Sequence, residues 1–399
     1  MITYQEALDI ITQNPFQPKT ETVSLNDSDG RVLAEDITAD RDLPPYDRVT
    51  MDGISINFKA YKDGQRAFEI EKTIGAGMPK SSLEDAAKCV QIMTGAIMPD
   101  GADTVIRYED ITIENNIATI NEEVLHQQNI HFKGEDKKQS EIVLAKGVTL
   151  GATEAIVAAA VGKSSLEVIK LPKAAIITTG DELVDIDETP LAHQVRRSSN
   201  YGAQNVLKQW GIDSKQYHLK DDKALMVEEI SRILEAYELV VITGGVSRGK
   251  FDYLPEVLDE LGVTKHFHKV KQRPGKPFWF GTAQNGSTVF ALPGNPVSSF
   301  VCANAYIRPW LKASQGMPYQ LPPVKLMNDI TFKPDLTYFL ECSIRVSSEG
   351  VIEAQTFKGN GSGDFANMIQ ADGFVVLPQG KTDFKAGEVY PYIAYRSTF

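Results

Sequence analysis

The sequence predicts an α/β multidomain protein, with a central α/β sandwich domain around a mostly parallel sheet, an inserted β-rich domain and a C-terminal β-rich domain. Three observations support this fold class. From Lys173 onward, strand-like apolar runs alternate regularly with helical patterns, which is typical of a parallel sheet with right-handed crossovers. Short alternating runs separated by turn residues occupy residues 68–120 and recur after Gln320. The 399 residues also leave room for two to four domains.

The N-terminal region reads as one unit split by an insertion. Thr3-Tyr-Gln-Glu6 forms a capping-box pattern and predicts a short helix that ends at Asn14-Pro15. An alanine-rich helix is predicted over residues 153–161, and residues 151–169 are expected to pack back on the first forty residues. The predicted domains are residues 1–42 with 137–171 (the split N-terminal domain), 43–136 (the inserted β-rich domain), 172–315 (the α/β domain) and 316–399 (the C-terminal β-rich domain).

The central domain should contain six strands and four helices. The predicted strands cover residues 174–178, 213–219, 239–242, 266–270, 278–280 and 288–292. The predicted helices cover residues 200–210, a segment capped by Asp221-Asp222 and running through Tyr237, residues 253–261, and residues 297–311.

Composition narrows the function classes. The net charge of −12 argues against a general binder of nucleic acid or of anionic membranes. The cysteines Cys89, Cys302 and Cys342 are far apart in sequence, which suggests a reducing compartment and offers no zinc-site spacing. The N-terminus has no signal-peptide pattern and no apolar stretch is long enough to span a bilayer, so a cytoplasmic location is expected.

A glycine-rich turn follows the apolar strand over residues 239–242. Gly244, Gly245 and Gly249 would let backbone N–H groups converge on an anion. The spacing from Gly244 to Gly249-Lys250 resembles a nucleotide-binding P-loop, but Phe251 stands where a Ser or Thr should ligate magnesium. A P-loop-like nucleotide enzyme is therefore less favoured, and a glycine-rich turn without any ligand stays open for this stretch alone.

Three loops of the central domain carry functional groups. They are Gly180-Asp-Glu182, the segment from Gly244 to Asp252, and Pro293-Gly-Asn295. In a parallel sheet these loops meet at one edge, where we expect residues 271–276 to join them. Carboxylates beside the cations Arg273 and Lys276 suit a phosphate group and magnesium. No pattern for acyl transfer, glycoside cleavage or hydride transfer appears.

A series of short motifs resembles one known family closely, the molybdopterin molybdenumtransferases (MoeA family), which are related to the C-terminal domain of gephyrin. The motifs follow the family order from about residue 40 to residue 300. They are Leu43-Pro-Pro-Tyr with Met51-Asp-Gly53, Thr94-Gly-Ala96 with Pro99 and Gly101-Ala-Asp103, Gly134-Glu-Asp136, Thr179-Gly-Asp-Glu-Leu183, Gly244-Gly-Val-Ser247 with Gly249 and Asp252, Pro274-Gly-Lys-Pro277, and Leu292-Pro-Gly-Asn-Pro-Val-Ser298.

The resemblance implies an L-shaped homodimer of four-domain subunits, in which the split N-terminal domain serves dimerisation and the α/β domain binds molybdopterin. Such a protein inserts molybdate into adenylylated molybdopterin and releases AMP with the help of Mg²⁺. The donor of the adenylylated substrate would be a molybdopterin adenylyltransferase. A non-catalytic, gephyrin-like scaffold is the alternative from another class, and AMP release would separate the two.

The resemblance also assigns roles by motif position. Asp181, Glu182 and Asp252 would be catalytic and metal-binding, and Lys276 and Asp52 would be catalytic. Asp52 with Thr94 would close the cleft from the partner subunit. The residues expected to bind the cofactor substrate are Thr94, Gly244, Gly245, Ser247, Gly249, Arg273, Pro274, Gly275, Pro293, Gly294, Asn295, Pro296 and Ser298.

Overall fold

The computed structural model describes residues 1–246, 252–357 and 367–396. The chain forms two compact units, one made of residues 22–168 and the other of residues 1–21 with 169–399.

The chain begins with helix α1 (Tyr4–Gln13), followed by strand β1 (Thr20–Ser24). The predicted capping box is confirmed, because Thr3 Oγ1 accepts a hydrogen bond from Glu6 N while the Glu6 carboxylate accepts one from Thr3 N at 2.7 Å. The buried side chains of Ala7 and Ile11 join the core of the α/β domain.

The unit of residues 22–168 is built around a six-stranded sheet. Its elements are β2 (Ile37–Thr38), β3 (Arg48–Val49), β4 (Gly53–Ile56), α2 (Phe58–Lys62), β5 (Ala67–Ile74), β6 (Lys88–Ile92), β7 (Thr104–Arg107), β8 (Ile111–Glu114), β9 (Ile117–Ile120), β10 (Ile130–His131), β11 (Ile142–Leu144), α3 (Ala152–Ala160) and β12 (Ser165–Ile169). The strand order is β7-β4-β6-β5-β9-β8, and only β5 and β6 run parallel among its pairs. This sheet is the predicted β-rich insertion.

The segments on either side of this sheet pack against each other. Strand β11 pairs antiparallel with β2, and Leu33 and Ile37 share a buried cluster with Leu150 and Leu166. The division of the whole chain into four domains stays a prediction.

The α/β domain has strands β13 (Ala174–Thr179), β14 (Leu183–Val184), β15 (Val195–Arg196), β16 (Ser214–Leu219), β17 (Leu239–Thr243), β18 (Thr264–His268), β19 (Gln272–Arg273), β20 (Trp279–Thr282) and β21 (Thr288–Leu292). Its helices are α4 (Ser199–Gln209), α5 (Lys223–Ala236), α6 (Leu254–Glu260), α7 (Pro296–Cys302) and α8 (Arg308–Ser314). The sheet order is β16-β13-β17-β21-β20-β18. The first four strands are parallel, and β20 runs antiparallel to both of its neighbours, β21 and β18.

Each face of this sheet carries its own hydrophobic core, as a doubly covered parallel sheet requires. Strands β13, β17 and β21 are buried along their whole length. Residues of alternating position, such as Val241 and Val240, contribute to opposite cores. The predicted α/β sandwich with a mostly parallel sheet is therefore confirmed.

The last helix of this domain differs from the single helix expected over residues 297–311. It consists of α7, a π-helical turn over Ala303–Ile307, and α8. Pro309 lies at the start of α8 and has no N–H to donate to the preceding turn, which accounts for the change in hydrogen bonding there.

The C-terminal region forms a small closed β-barrel. Its strands are β22 (Pro323–Leu326), β23 (Ile330–Thr331), β24 (Thr337–Val346), β25 (Ile352–Thr356), β26 (Gly373–Leu377), β27 (Asp383–Phe384) and β28 (Val389–Ala394). The barrel closes through β24-β25-β22-β28-β26 and back to β24, and β19 pairs with β24 from outside. Throughout the described residues, no helix has the length and apolar character needed to cross a membrane.

Candidate active site

A cleft opens at the point in the α/β sheet where the order of the parallel strands reverses. From β13 the chain adds β16 on one side, and then β17 and β21 on the other. Ligands of open α/β sheets bind at such a switch point, beyond the carboxyl ends of the strands. A cleft of about 590 Å³ lies there, and its lining includes Thr179, Thr243 and the loops that follow them. We refer to it below as the switch-point cleft.

Backbone contacts hold the loops of this edge together. Gly244 has a φ of +101°, and a Cβ added to it would lie 2.7 Å from the carbonyl oxygen of Thr179. A Cβ on Gly294 would lie 3.4 Å from the Cα of Gly244. Ser199 Oγ donates a hydrogen bond of 3.0 Å to the carbonyl oxygen of Gly294. The close approach therefore needs glycine at Gly244.

One side of the switch-point cleft is acidic. Glu182 and Asp252 line it together with Asp221, and Asp221 N donates to Asp181 Oδ1 over 3.3 Å. Burial raises the pKa of the Asp221 carboxyl, and the negative charges of Asp181, Glu182 and Asp252 raise it further. The three other carboxylates therefore repel the charge of Asp221, and a bound cation would relieve that repulsion.

These carboxylates have the oxygen chemistry that Mg²⁺ prefers. Within the described residues, however, no three His, Cys, Asp or Glu side chains are already arranged as a metal site. The carboxylate oxygens therefore fit magnesium in chemistry and charge, and the carboxylates would have to move closer together to coordinate the ion.

A second side of the cleft, next to the segment that carries Glu182, is basic and polar. It is formed by Arg196, Arg197 and the following serines, where β15 leads into α4. Arg197 donates a hydrogen bond to the Asp185 carboxylate. The pKa of Asp185 is lowered first by the N–H of Ile186 and then by Arg197. The cleft thus has an acidic side and a basic side.

Sequence reasoning assigned no site role to Asp221, Arg196 or Arg197. Asp221 was considered only as part of a helix cap, whereas Asp222 alone caps α5, accepting from Ala224 N and Leu225 N. The sequence did contain a signal for a site role of Asp221, because this residue follows β16, a further parallel strand that ends on the same side of the sheet. The arginines had no comparable signal, since their placement depends on the pairing of β14 with β15.

The structure gathers part of the predicted site set in this cleft. The predicted residues that line it are Glu182, Gly244, Gly245, Asp252, Gly294, Asn295 and Pro296. Asp181 does not line the cleft but accepts a hydrogen bond from Asp221 N. Pro293 and Ser298 are buried near Asn295 in the sequence. The side chain of Asn295 accepts hydrogen bonds from Val297 N and Ser298 N. Ser247 and Gly249 lie outside the described residues.

The loop from Arg273 to Lys276 is not part of the cleft lining. Arg273 and Pro274 line a separate pocket of about 40 Å³ with Tyr338 and Glu341 of the barrel. Gly275 lies close to α7, because an added Cβ would be 2.5 Å from Cys302 Sγ, and Lys276 is exposed. This loop therefore packs against the end of α7, and the first residue of that helix, Pro296, lines the switch-point cleft.

Asp52 and Thr94 lie in the unit of residues 22–168 and bind each other. Asp52 Oδ1 accepts hydrogen bonds from Thr94 N at 2.6 Å and Thr94 Oγ1 at 2.7 Å. The backbone N–H, followed by the hydroxyl, lowers the pKa of the Asp52 carboxyl. Thr94 therefore holds the Asp52 carboxylate in one orientation and favours its ionised form.

Comparison with known proteins identifies the family of the chain. Three family profiles match the chain: the MoeA N-terminal region (domain I and II) over residues 2–162, a probable molybdopterin binding domain over residues 175–313, and the MoeA C-terminal region (domain IV) over residues 323–395. The second profile covers the strands and loops that form the switch-point cleft.

Full-length relatives extend this match. A molybdopterin molybdenumtransferase of Synechocystis sp. is 39% identical, with 99% of this chain and 100% of the relative covered. One from Staphylococcus epidermidis is 30% identical, covering 99% and 96% respectively. The crystal structure of the molybdopterin biosynthesis moeA protein from Pyrococcus horikoshii OT3 superposes with a TM-score of 0.84 at 26% identity, covering 99% of this chain and 100% of that one. The chain therefore belongs to the molybdopterin molybdenumtransferases, a family of transferase enzymes.

Proposed function

We propose that this protein acts in molybdenum cofactor biosynthesis by inserting molybdate into adenylylated molybdopterin, with Mg²⁺-dependent release of AMP. The observation that carries the proposal is the two-sided switch-point cleft. It combines the carboxylates of Glu182, Asp221 and Asp252, with Asp181 in contact with Asp221, and a basic side that contains Arg196 and Arg197. A substrate that combines phosphate groups with a divalent cation matches both sides.

Different residues of the chain would then bind the metal ion, bind the substrate and accept a proton. Asp181, Glu182 and Asp252 would hold Mg²⁺, which when bound would neutralise the phosphate charge. Arg197, which also lines the cleft, would bring positive charge to the substrate. Cleavage of the bond between the AMP and molybdopterin phosphates consumes a water molecule and releases a proton. Asp221, which lines the cleft beside these carboxylates, would accept that proton.

Three further parts of the proposal come from the family resemblance. Lys276, together with Ser247, would help hold molybdate or phosphate. Asp52 with Thr94 would complete the cleft from the second subunit of a homodimer, which their ionised, pre-ordered geometry supports. A molybdopterin adenylyltransferase would supply the substrate. The cytoplasmic location stays a prediction.

The proposal is tested by measuring AMP release from adenylylated molybdopterin. We expect release that requires both molybdate and Mg²⁺. A protein that binds the adenylylated substrate but releases no AMP under these conditions would instead be a scaffold. ATP hydrolysis in the absence of molybdopterin would favour the P-loop-like nucleotide enzyme. Either result would contradict the proposed reaction.

A further inference from the structure

Two buried hydroxyl groups in the switch-point cleft have no hydrogen-bond partner within the described residues. They are Thr179 Oγ1 and Thr243 Oγ1. The two residues are only 4% and 1% exposed, and both line the cleft. A buried hydroxyl without a partner destabilises the folded protein, because it has lost its hydrogen bonds to water. Such groups at a cleft indicate a missing ligand, because native proteins leave few buried polar groups unpaired.

The position of these hydroxyls ties them to the glycine turn. Thr243 is the last residue of β17, and Thr179 is the last residue of the adjacent strand β13. A Cβ added to Gly244 or Gly245 would lie 2.9 or 3.0 Å from Thr179 Oγ1. The hydroxyl of Thr179 therefore stands directly beside the two glycines whose backbone approaches the site.

A neighbouring threonine shows that the sheet itself does not prevent pairing. Thr178 is the cross-strand partner of Thr243 in the β13–β17 register. Its Oγ1 donates to the carbonyl oxygen of Tyr217 at 3.3 Å and also lies 3.3 Å from His218 Nδ1. Thr178 also lines the cleft, but its hydroxyl is paired within the protein, whereas the equally buried hydroxyl of Thr243 on the adjacent strand has no partner among the described residues.

A third polar group with the same property lies in the basic side of the cleft. The Nε–H of Arg197 is buried and without a partner among the described residues, although the same guanidinium binds Asp185. Hydroxyl and guanidinium groups can all donate hydrogen bonds. Because Thr178 is the register partner of Thr243, the side chains of Thr179 and Thr243 leave the sheet on opposite faces at the same end of the strands. Unused donors at separate points of one cleft match the acceptor oxygens of a substrate that carries more than one tetrahedral oxyanion.

We propose that Thr179, Thr243 and Arg197 bind the tetrahedral oxyanions of the substrate, through the two threonine hydroxyls and the Arg197 Nε–H. Each oxyanion is either a phosphate group or molybdate, which share this chemistry. The inference rests on the proposed function, and it adds three substrate-binding residues to that site.

The test compares Thr179→Val and Thr243→Val with Thr178→Val. Valine has the shape of threonine without the hydroxyl, so each variant removes one group only. Binding of AMP, inorganic phosphate and molybdate is measured by calorimetry with Mg²⁺ present, and thermal stability is measured without ligand. We expect Thr179→Val and Thr243→Val to bind the oxyanion about tenfold more weakly, the usual effect of a lost hydrogen bond to a charged group.

The stability readout separates a ligand-binding role from a structural one. Removing an unpaired hydroxyl should leave the ligand-free melting temperature unchanged or raise it. Thr178→Val should lower it, because a paired hydroxyl is lost, and should keep wild-type binding. Weaker binding of AMP and phosphate alone identifies the phosphate as the bound group, and weaker binding of molybdate alone identifies the metal oxyanion.

Two outcomes would overturn the inference. In one, Thr179→Val and Thr243→Val bind all three anions as the wild type does. In the other, both variants lose stability as Thr178→Val does. If wild-type AMP release is intact in either case, the proposed function stands and only the inference falls. Failure of the wild type to bind any of the anions, together with no AMP release, would remove both.

Discussion

Two openings of similar size lie at the two ends of the strands of the central sheet. The switch-point cleft, of about 590 Å³, lies at the carboxyl ends of the parallel strands. A groove of about 600 Å³ lies at their amino ends, where Glu238 precedes β17 and Ser287 precedes β21. We call the second opening, lined also by Glu235, Asn285 and Gly286, the amino-edge groove.

The two openings differ in how their polar groups are satisfied. In the amino-edge groove, Ser287 Oγ lies 2.8 Å from the carbonyl oxygens of both Leu234 and Tyr237, and Asn285 Nδ2 also donates to Leu234. Within the described residues, no buried side-chain atom without a partner belongs to a residue lining this groove. The switch-point cleft instead combines unused donors with the Asp221 carboxyl, whose pKa is raised by burial and by the neighbouring carboxylates. Size alone therefore does not mark a site, whereas unpaired groups and unbalanced charge do.

The largest expected difference between the two edges is in activity. Asp252→Asn removes a carboxylate from the switch-point cleft, so AMP release should fall by about a hundredfold or more because Mg²⁺ loses a ligand. The circular dichroism spectrum should stay that of the wild type. The matched control is Glu235→Gln, which removes a carboxylate from the amino-edge groove and should keep full activity. Wild-type activity in Asp252→Asn would remove its assigned role.

A pair of glycine substitutions compares backbone packing at the two edges. In Gly244→Ala, the new Cβ would lie 2.7 Å from Thr179 O at a φ of +101°, so we expect a loss of about 3–4 kcal/mol in unfolding free energy. In Gly286→Ala the φ is +91° but no atom lies within 4 Å, and the loss should be only about 1–2 kcal/mol. Chemical denaturation measures both. Equal losses would show that the loop contact at Gly244 contributes nothing.

Ser287→Ala tests the claim that the amino-edge groove is structural. The variant removes the hydroxyl that hydrogen-bonds to the end of α5, and the unfolding free energy should fall by about 1 kcal/mol. AMP release per folded molecule should not change. A loss of activity without a loss of stability would assign the groove a functional role and reverse the contrast between the edges.

The smallest expected effect concerns the charge of Asp221. Its raised pKa means that ionisation of this carboxyl costs the folded protein stability, and the cost appears as the pH rises through that pKa. Asp221→Asn removes the cost, so without divalent cations the variant should melt slightly above the wild type at pH 7. The difference should shrink as the pH falls and Asp221 becomes protonated. A variant that melts lower than the wild type at pH 7 would contradict the repulsion described for the acidic side.

Local signals in the sequence predicted much of this architecture. The capping box at Thr3, the helix cap at Asp222 and the strand over residues 288–292 depend on residues close in sequence, and they appear as expected. The β-rich regions on both sides of the α/β domain were also predicted from alternation, although the closure of the barrel was not.

Features that depend on long-range pairing were not predictable in the same way. The attachment of β19 to β24 draws Arg273 toward the barrel, and no periodicity near Arg273 indicates a partner more than sixty residues away. Likewise, the unused hydroxyls of Thr179 and Thr243 become visible only when the neighbouring atoms are known, because an isolated threonine at a strand end is ordinary. Part of the candidate site could thus be read from motifs, and the rest required the fold.

The central claim is that the switch-point cleft, and not the similarly sized amino-edge groove, is where the substrate binds. A crystal structure of the protein soaked with AMP, molybdate and Mg²⁺ tests it most directly. The account predicts electron density for the AMP phosphate between Thr243, Asp252 and Arg197. Density for AMP in the amino-edge groove, with the switch-point cleft empty in the same crystal, would contradict it.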